Sequence, residues 1–485
     1  MRIIPELKEG THRAKASGTL PNGKPVVVNA DGTVSVVSST SVSSAIGSET
    51  VYETGQTTWQ AAAYDSSSNK VVFAYSDGGN SGHGTAVVGT VSGTSISFGS
   101  PVVFNSASIY YVTATFDSNE NKVVIAYYDN ATAGKGTAVV GNVSGTSISF
   151  GTPVVFEAGG TIYTAATFDS SNNKVVIAYR DAGNSNYGTA VVGTVSGTSI
   201  SFGSPVVFES ARSDHVGITF DSLNNKVVVA YNDNGNSQKG TAVVGTVSGT
   251  SISFGSAVVY DSSATNIYNI PAYDSVSNKV VIAYNSYSGG YQGSAIVGTV
   301  SGTSISFGSK TVFNANQSDY LRIVYNSAAN KVVIVYSDAG NSSYLTLQEG
   351  EISGTTVSFG SDTILDSTGA SNYTSMAYDM NEKVSVVSYA PVASTNKGTA
   401  IVRQTAYTST NLTSENYIGI STGGTYADGS SATVDIIGSL STNQSGLTAG
   451  QSYYVQTDGT IGETAADPSV FAGTAISATS LVVKT

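Results

Sequence analysis

The chain has 485 residues with 53 Gly, 29 Tyr, no Cys and a formal net charge of −12, and only 11% of its residues are charged. So few charges, with 40% hydrophobic residues gathered in short Val- and Ile-rich runs, exclude a disordered polyelectrolyte and describe β structure beneath a polar, uncharged Ser/Thr/Asn/Gly surface. Only 21 Lys and Arg argue against a nucleic-acid partner, and the lack of any apolar stretch near the ~20 residues of a membrane helix argues against membrane insertion.

In chain order, residues 1–18 (MRIIPELKEGTHRAKASG) place charges where a secretion signal would have its apolar core. Residues 20–34 (LPNGKPVVVNADGTV) read as a hairpin turning at Asp31-Gly32. From residue 57 a repeat begins. Its motif NKVVxAY places lysines at Lys70, Lys122, Lys174, Lys226, Lys279, Lys331 and Lys383, in steps of 52, 52, 52, 53, 52 and 52. Each repeat has four strand-like pieces, in the first TTWQAAAYD, NKVVFAYSD, GTAVVGTVSG and SISFGSPVVF, joined by tight polar turns. Four short strands in such a period predict propeller blades. The second piece is continuously apolar, as a strand covered on both faces must be.

First-to-third pieces occur seven times, and the last copy ends at 398–406 (GTAIVRQTA) with no fourth. A matching piece, AIGSETVY (45–52), stands alone ahead of the first copy and aligns with 97–104. The sequence therefore predicts an all-β chain. A seven-bladed β-propeller of four-stranded blades spans 45–406 and is closed by its N-terminal strand, which removes a free edge. Residues 447–461 (LTAGQSYYVQTDGTI) share the Leu, Gly, Val and Asp-Gly-Thr positions of 20–34. Residues 1–44 and 407–485 are accordingly expected to form one small β base domain.

Those end segments, GTLPNGKPVVVNADGTVSVV and SGLTAGQSYYVQTDGTIGETAADPSVFAGTAISATSLVVKT, resemble small β modules at the ends of structural proteins of marine tailed bacteriophages. The resemblance implies a non-enzymatic virion structural protein: a tail-fibre or adhesin-like appendage whose propeller recognises a host-surface glycan or receptor. The alternative is a capsid decoration or head-fibre protein, and a polysaccharide-degrading enzyme is a distant third. It further implies other virion proteins as partners of the base, a homo-oligomer such as a trimer, and synthesis in the host cytoplasm with release by lysis. An unsecreted chain with an extracellular-type surface fits that setting.

The chemistry is sparse. His12, His83 and His215 share no metal-ligand spacing, and no hydrolase or phosphate-binding motif is present. DxGNS segments at Asp77, Asp181, Asp233 and Asp338 faintly resemble the Asp-box of sialidase propellers but lack its Trp, and Arg180, Arg212, Arg322 and Arg403 fall in different copies, so no arginine cluster is expected. Neither catalytic residues, cofactor nor metal is expected. An acidic series, Asp77, Asp129, Asp181, Asp233 and Asp338, is read as Asx-turn capping, not as a calcium site. One series stands out six residues before the end of each first strand: Trp59, Tyr111, Tyr163, His215, Tyr268, Tyr320 and Tyr373. It is expected to ring one mouth of a central channel, either as a steric plug or as a stacking platform for sugar rings. The series Tyr64, Phe116, Phe168, Phe220, Tyr273, Tyr325 and Tyr378, one residue before the strand end, is assigned to the core.

Overall fold

The apolar runs become second strands without an exposed face. In the computed structural model, which describes residues 10–263, 267–287, 290–466 and 468–484, the strand Lys70–Asp77 carries Val71, Val72, Phe73, Ala74 and Tyr75, each 0% exposed. Burying such a Val or Phe side chain contributes ~1.5–3 kcal/mol. The described residues are all-β: antiparallel strands and five three-residue 3-10 turns. The chain divides into two compact units, residues 1–43 with 406–485 and residues 44–405.

In the unit 44–405, the later part of Thr50–Asp65 pairs with Lys70–Asp77, which pairs with His83–Ser92, which pairs with Ser95–Phe98. The strand Val102–Asp117 then pairs back onto His83–Ser92, with Val102 opposite Ala86, and continues as the first strand of the next copy. The pairing of second with third strand recurs in all seven copies. Alternate residues of a second strand face different neighbours. Val72 and Ala74 pack with Phe104 of their own copy and with Val123 and Ile125 of the second, while Val71, Phe73 and Tyr75 pack with Val384, Val386 and Val402 of the seventh.

The N-terminal strand completes that seventh copy. Ala45 lies opposite Gln404, Ile46 opposite Arg403 and Thr50 opposite Ala400, the pairing that the alignment of 45–52 with 97–104 predicts. A glycine records the same relation. A Cβ at Gly99 would stand 1.8 Å from the carbonyl oxygen of Thr146, in the turn of the next copy, and a Cβ at Gly47 equally close to that of Thr94. At Gly360, which faces a copy lacking this turn, nothing lies within 4 Å.

In the unit 1–43 with 406–485, both ends of the chain enter one sheet, ordered Thr11–Lys15, Ser431–Ile436, Tyr417–Thr422, Pro25–Val28 and Val34–Val36. A second five-stranded sheet comes from the C-terminal end alone, and Val27, Tyr417, Ile420, Tyr453 and Val455 share its core. The Asp-Gly-Thr segments turn as hairpins: Val28 pairs with Val34 and Val455 with Ile461. Asp31 and Asp458 each accept the amide N–H of the threonine two residues on, at 3.0 and 2.9 Å.

Candidate functional site

The first strand of every copy is interrupted at one place. Pairing stops at Thr58 opposite Ser76 and resumes at Ala61 opposite Ala74, so Trp59 and Gln60 together face the single Tyr75, a β-bulge. The skip recurs in the other six copies. Its first residue has left-handed backbone, with φ of 51, 50, 55, 51, 54, 52 and 48° at Trp59, Tyr111, Tyr163, His215, Tyr268, Tyr320 and Tyr373. Glycine usually fills such a bulge position. A bulky side chain there costs ~1–2 kcal/mol, and strain of this kind gathers at ligand clamps and other functional places.

These seven rings touch in one unbroken cycle. Centroid separations are 4.4 Å (Trp59–Tyr111), 5.3 Å (Tyr111–Tyr163), 4.5 Å (Tyr163–His215), 5.6 Å (His215–Tyr268), 6.2 Å (Tyr268–Tyr320), 5.3 Å (Tyr320–Tyr373) and 5.8 Å (Tyr373–Trp59). All seven are half-buried, and they line a cavity of about 530 Å³. The bulge takes ring-residue carbonyls out of the ladder, and polar side chains of the next copy meet them. The Thr164 hydroxyl donates to the Tyr111 carbonyl, that of Thr374 to the Tyr320 carbonyl, and Asn269 Nδ2 to the His215 carbonyl at 3.2 Å.

The cycle is not uniform. Tyr110 and Tyr128 extend it outward in the second copy, with Tyr110 at 6.2 Å from Trp59 and Tyr128 at 5.6 Å from Tyr110. Beside it, the expectation that the arginines stay apart is corrected for two of them. Register places Arg180 and Arg212, from neighbouring copies, on the same carboxylate: Arg180 Nη1 donates to Asp214 Oδ1, and Arg212 Nε to Asp214 Oδ2 at 2.9 Å. The Arg180 guanidinium lies 5.1 Å from the Tyr163 ring centroid, within cation–π range. Burial pushes the adjacent His215 down to about 4, against the pull of Asp214 and with the help of Arg180 and Arg212, so its imidazole is neutral at ordinary pH. Linear reading missed this cluster because its members are 34 residues apart (Arg180 to Asp214) and lie in neighbouring copies. Arg322 is also on the cavity wall, whereas Arg403 is elsewhere, bonded to Glu349 at 3.0 Å.

The acidic series caps turns. Asp77 Oδ1 accepts Asn80 N at 3.1 Å, Asp181 Oδ1 accepts Gly183 N at 2.9 Å, and Asp338 Oδ1 accepts Gly340 N at 3.0 Å. Burial, then the nearby Glu53, raises the carboxyl of Asp77, and burial with Glu157 raises that of Asp181. Among the described residues no group of three or more His, Asp or Glu is arranged to hold a metal. The second aromatic series is less buried than a core assignment implies. Tyr64, Phe116, Phe168 and Tyr273 are half-buried against the core clusters. The tyrosine hydroxyls explain the polar edge: Tyr64 donates to Asn69 Oδ1 at 3.0 Å and accepts Asn381 N at 3.3 Å.

No family model and no curated protein matches the sequence. Among solved structures the chain is similar to the BP39L lectin from Burkholderia pseudomallei, at 12% identity and a TM-score of 0.50, over 76% of this chain and 99% of that one. A protein of unknown function from Dyadobacter fermentans matches at 10% identity and a TM-score of 0.44, again over 76% and 99%. At such identity the likeness to the lectin concerns the fold alone.

Proposed function

We propose that residues 44–405 form a closed seven-bladed β-propeller that binds glycan without catalysis, its bulge-end aromatic ring serving as the stacking platform. The observation that carries this is the unbroken cycle of seven half-buried rings lining a cavity of about 530 Å³. A plug would be as buried as Tyr75 and its six equivalents, which are 0% exposed. Aromatic faces suit the C–H face of a sugar, and the strained bulges hold the rings in place before a ligand arrives. Glycoside hydrolysis needs a pair of carboxylates across the scissile bond, and among the described residues the cavity wall carries no Asp or Glu. The fold likeness to a lectin agrees with this reading.

We further propose that the terminal unit mounts the propeller on a phage particle, as a tail-fibre or adhesin-like appendage. Support comes from the end segments, whose hairpins lie in one unit into which the repeats are inserted. Immunogold labelling of purified particles tests the setting, and a chain absent from particles contradicts it. A glycan array tests the binding. The wild-type chain should bind a subset of glycans, and Trp59→Ala with Tyr163→Ala should abolish that signal. An array that stays blank, or a signal untouched by the double variant, overturns the proposal.

A further inference from the structure

We infer that the glycan is acidic, and that Arg180 and Arg212 hold its carboxylate at the rim of the ring; this rests on the glycan reading above. In a chain of net charge −12, two guanidiniums meet around one carboxylate, leaving one excess positive charge beside the stacking faces of Tyr163 and His215. Asp214 does not need both arginines for its own sake, since Asn234 Nδ2 also donates to its Oδ2, at 3.0 Å. What Asp214 does is orient them. Each guanidinium has five N–H donors in a rigid fork that matches a carboxylate, and here most remain unused. Arg180 Nε is buried without a hydrogen-bond partner, on a side chain only 11% exposed. The single hydrogen bond of the Arg212 guanidinium among the described residues is that of its Nε, and its side chain is 56% exposed.

The geometry therefore divides the work. Tyr163 and its ring neighbours take the apolar face of the sugar, and the two arginines take a carboxylate substituent. His215, depressed to about 4, contributes no charge at neutral pH. A neutral sugar would use the rings and leave the spare guanidinium donors unpaired. A uronic or sialic acid satisfies both.

The test uses the full chain on an array of uronic-acid, sialic-acid and neutral oligosaccharides, followed by calorimetry on the best binder and its methyl ester. The acidic glycans should bind. Esterification of the carboxylate should weaken binding about tenfold or more, as loss of a charge-assisted hydrogen bond does, and raising the salt should weaken the acid but not the ester. Arg212→Gln, at an exposed position where the fold is not at stake, should erase the difference between acid and ester. Arg212→Lys should restore it only in part, because an ammonium lacks the planar fork. Neutral glycans binding while acidic ones do not, or an ester binding as well as its acid, overturns this inference and leaves the glycan reading standing. An array with no signal at all removes both.

Discussion

Each first strand carries an aromatic side chain near either end, and the two ends are built differently. At the turn end, Tyr64 pairs in register opposite Val71, and its hydroxyl ties the turn of its own copy to that of the seventh. At the other end, Trp59 stands on a bulge at φ 51°, packs against the rings of Tyr111 and Tyr373 and lines the cavity. The first arrangement is what packing selects, with a regular ladder and satisfied polar atoms. The second keeps a strained backbone in seven copies in return for ring faces that remain half open. The turn end locks neighbouring copies together, and the bulge end presents a surface.

Five substitutions sharpen that contrast, and the largest effect is expected at the turn end. Gly47→Ala forces a Cβ to 1.8 Å from the Thr94 carbonyl oxygen. It should cost at least ~3 kcal/mol by overpacking against backbone, whereas Gly360→Ala, with nothing within 4 Å, should stay within ~0.5 kcal/mol. Chemical denaturation of the pair measures both, and equal losses would mean that the copies do not lock through this contact. Next, Phe116→Ala should cost about 2 kcal/mol, below the ~3–5 kcal/mol of a fully buried aromatic truncation because the ring is half-buried, without touching glycan binding. The pH dependence follows. His215 is depressed to about 4 from its ordinary 6.5, so between those values the unfolded chain takes up a proton that the folded chain refuses. Its contribution is whole above pH 6.5 and falls as pH drops toward 4, by about 1–3 kcal/mol. His215→Tyr, the residue most other copies carry, should flatten the stability profile in that window; an unchanged slope would show that the imidazole is not the titrating group. The last substitution is Tyr163→Asn. Asn tolerates left-handed backbone, so relief of strain offsets lost packing and the net change should stay within ~1 kcal/mol, while binding falls.

Much of the repeat was legible because its signals are local. The continuous VVxAY runs mark strands with no solvent face, the Ser-Gly-Thr and Asp-Ser turns mark their ends, and the stray piece at 45–52 marks the partner of 397–404. Both aromatic series were also visible, but as recurrence alone. Sequence sets Trp59 at a channel mouth and Tyr64 in the core by position along the strand, but the left-handed backbone under Trp59 is something no side-chain pattern announces. The Arg180–Asp214–Arg212 cluster stayed hidden for another reason, since it is assembled by pairing between copies and depends on which residues differ from the consensus.

The account stands or falls on whether the bulge-end ring is a working surface. The direct measurement pairs affinity for the best array glycan with melting temperature, for Trp59→Ala/Tyr163→Ala and for Phe116→Ala. The account predicts that the ring double variant weakens Kd about 100-fold or more, as loss of two stacking contacts of ~1–3 kcal/mol each would, with a melting shift of a few degrees. Phe116→Ala should lower the melting temperature and keep the affinity. Unchanged affinity in the ring double variant, together with a collapsed melting temperature, would show that the seven rings are a plug.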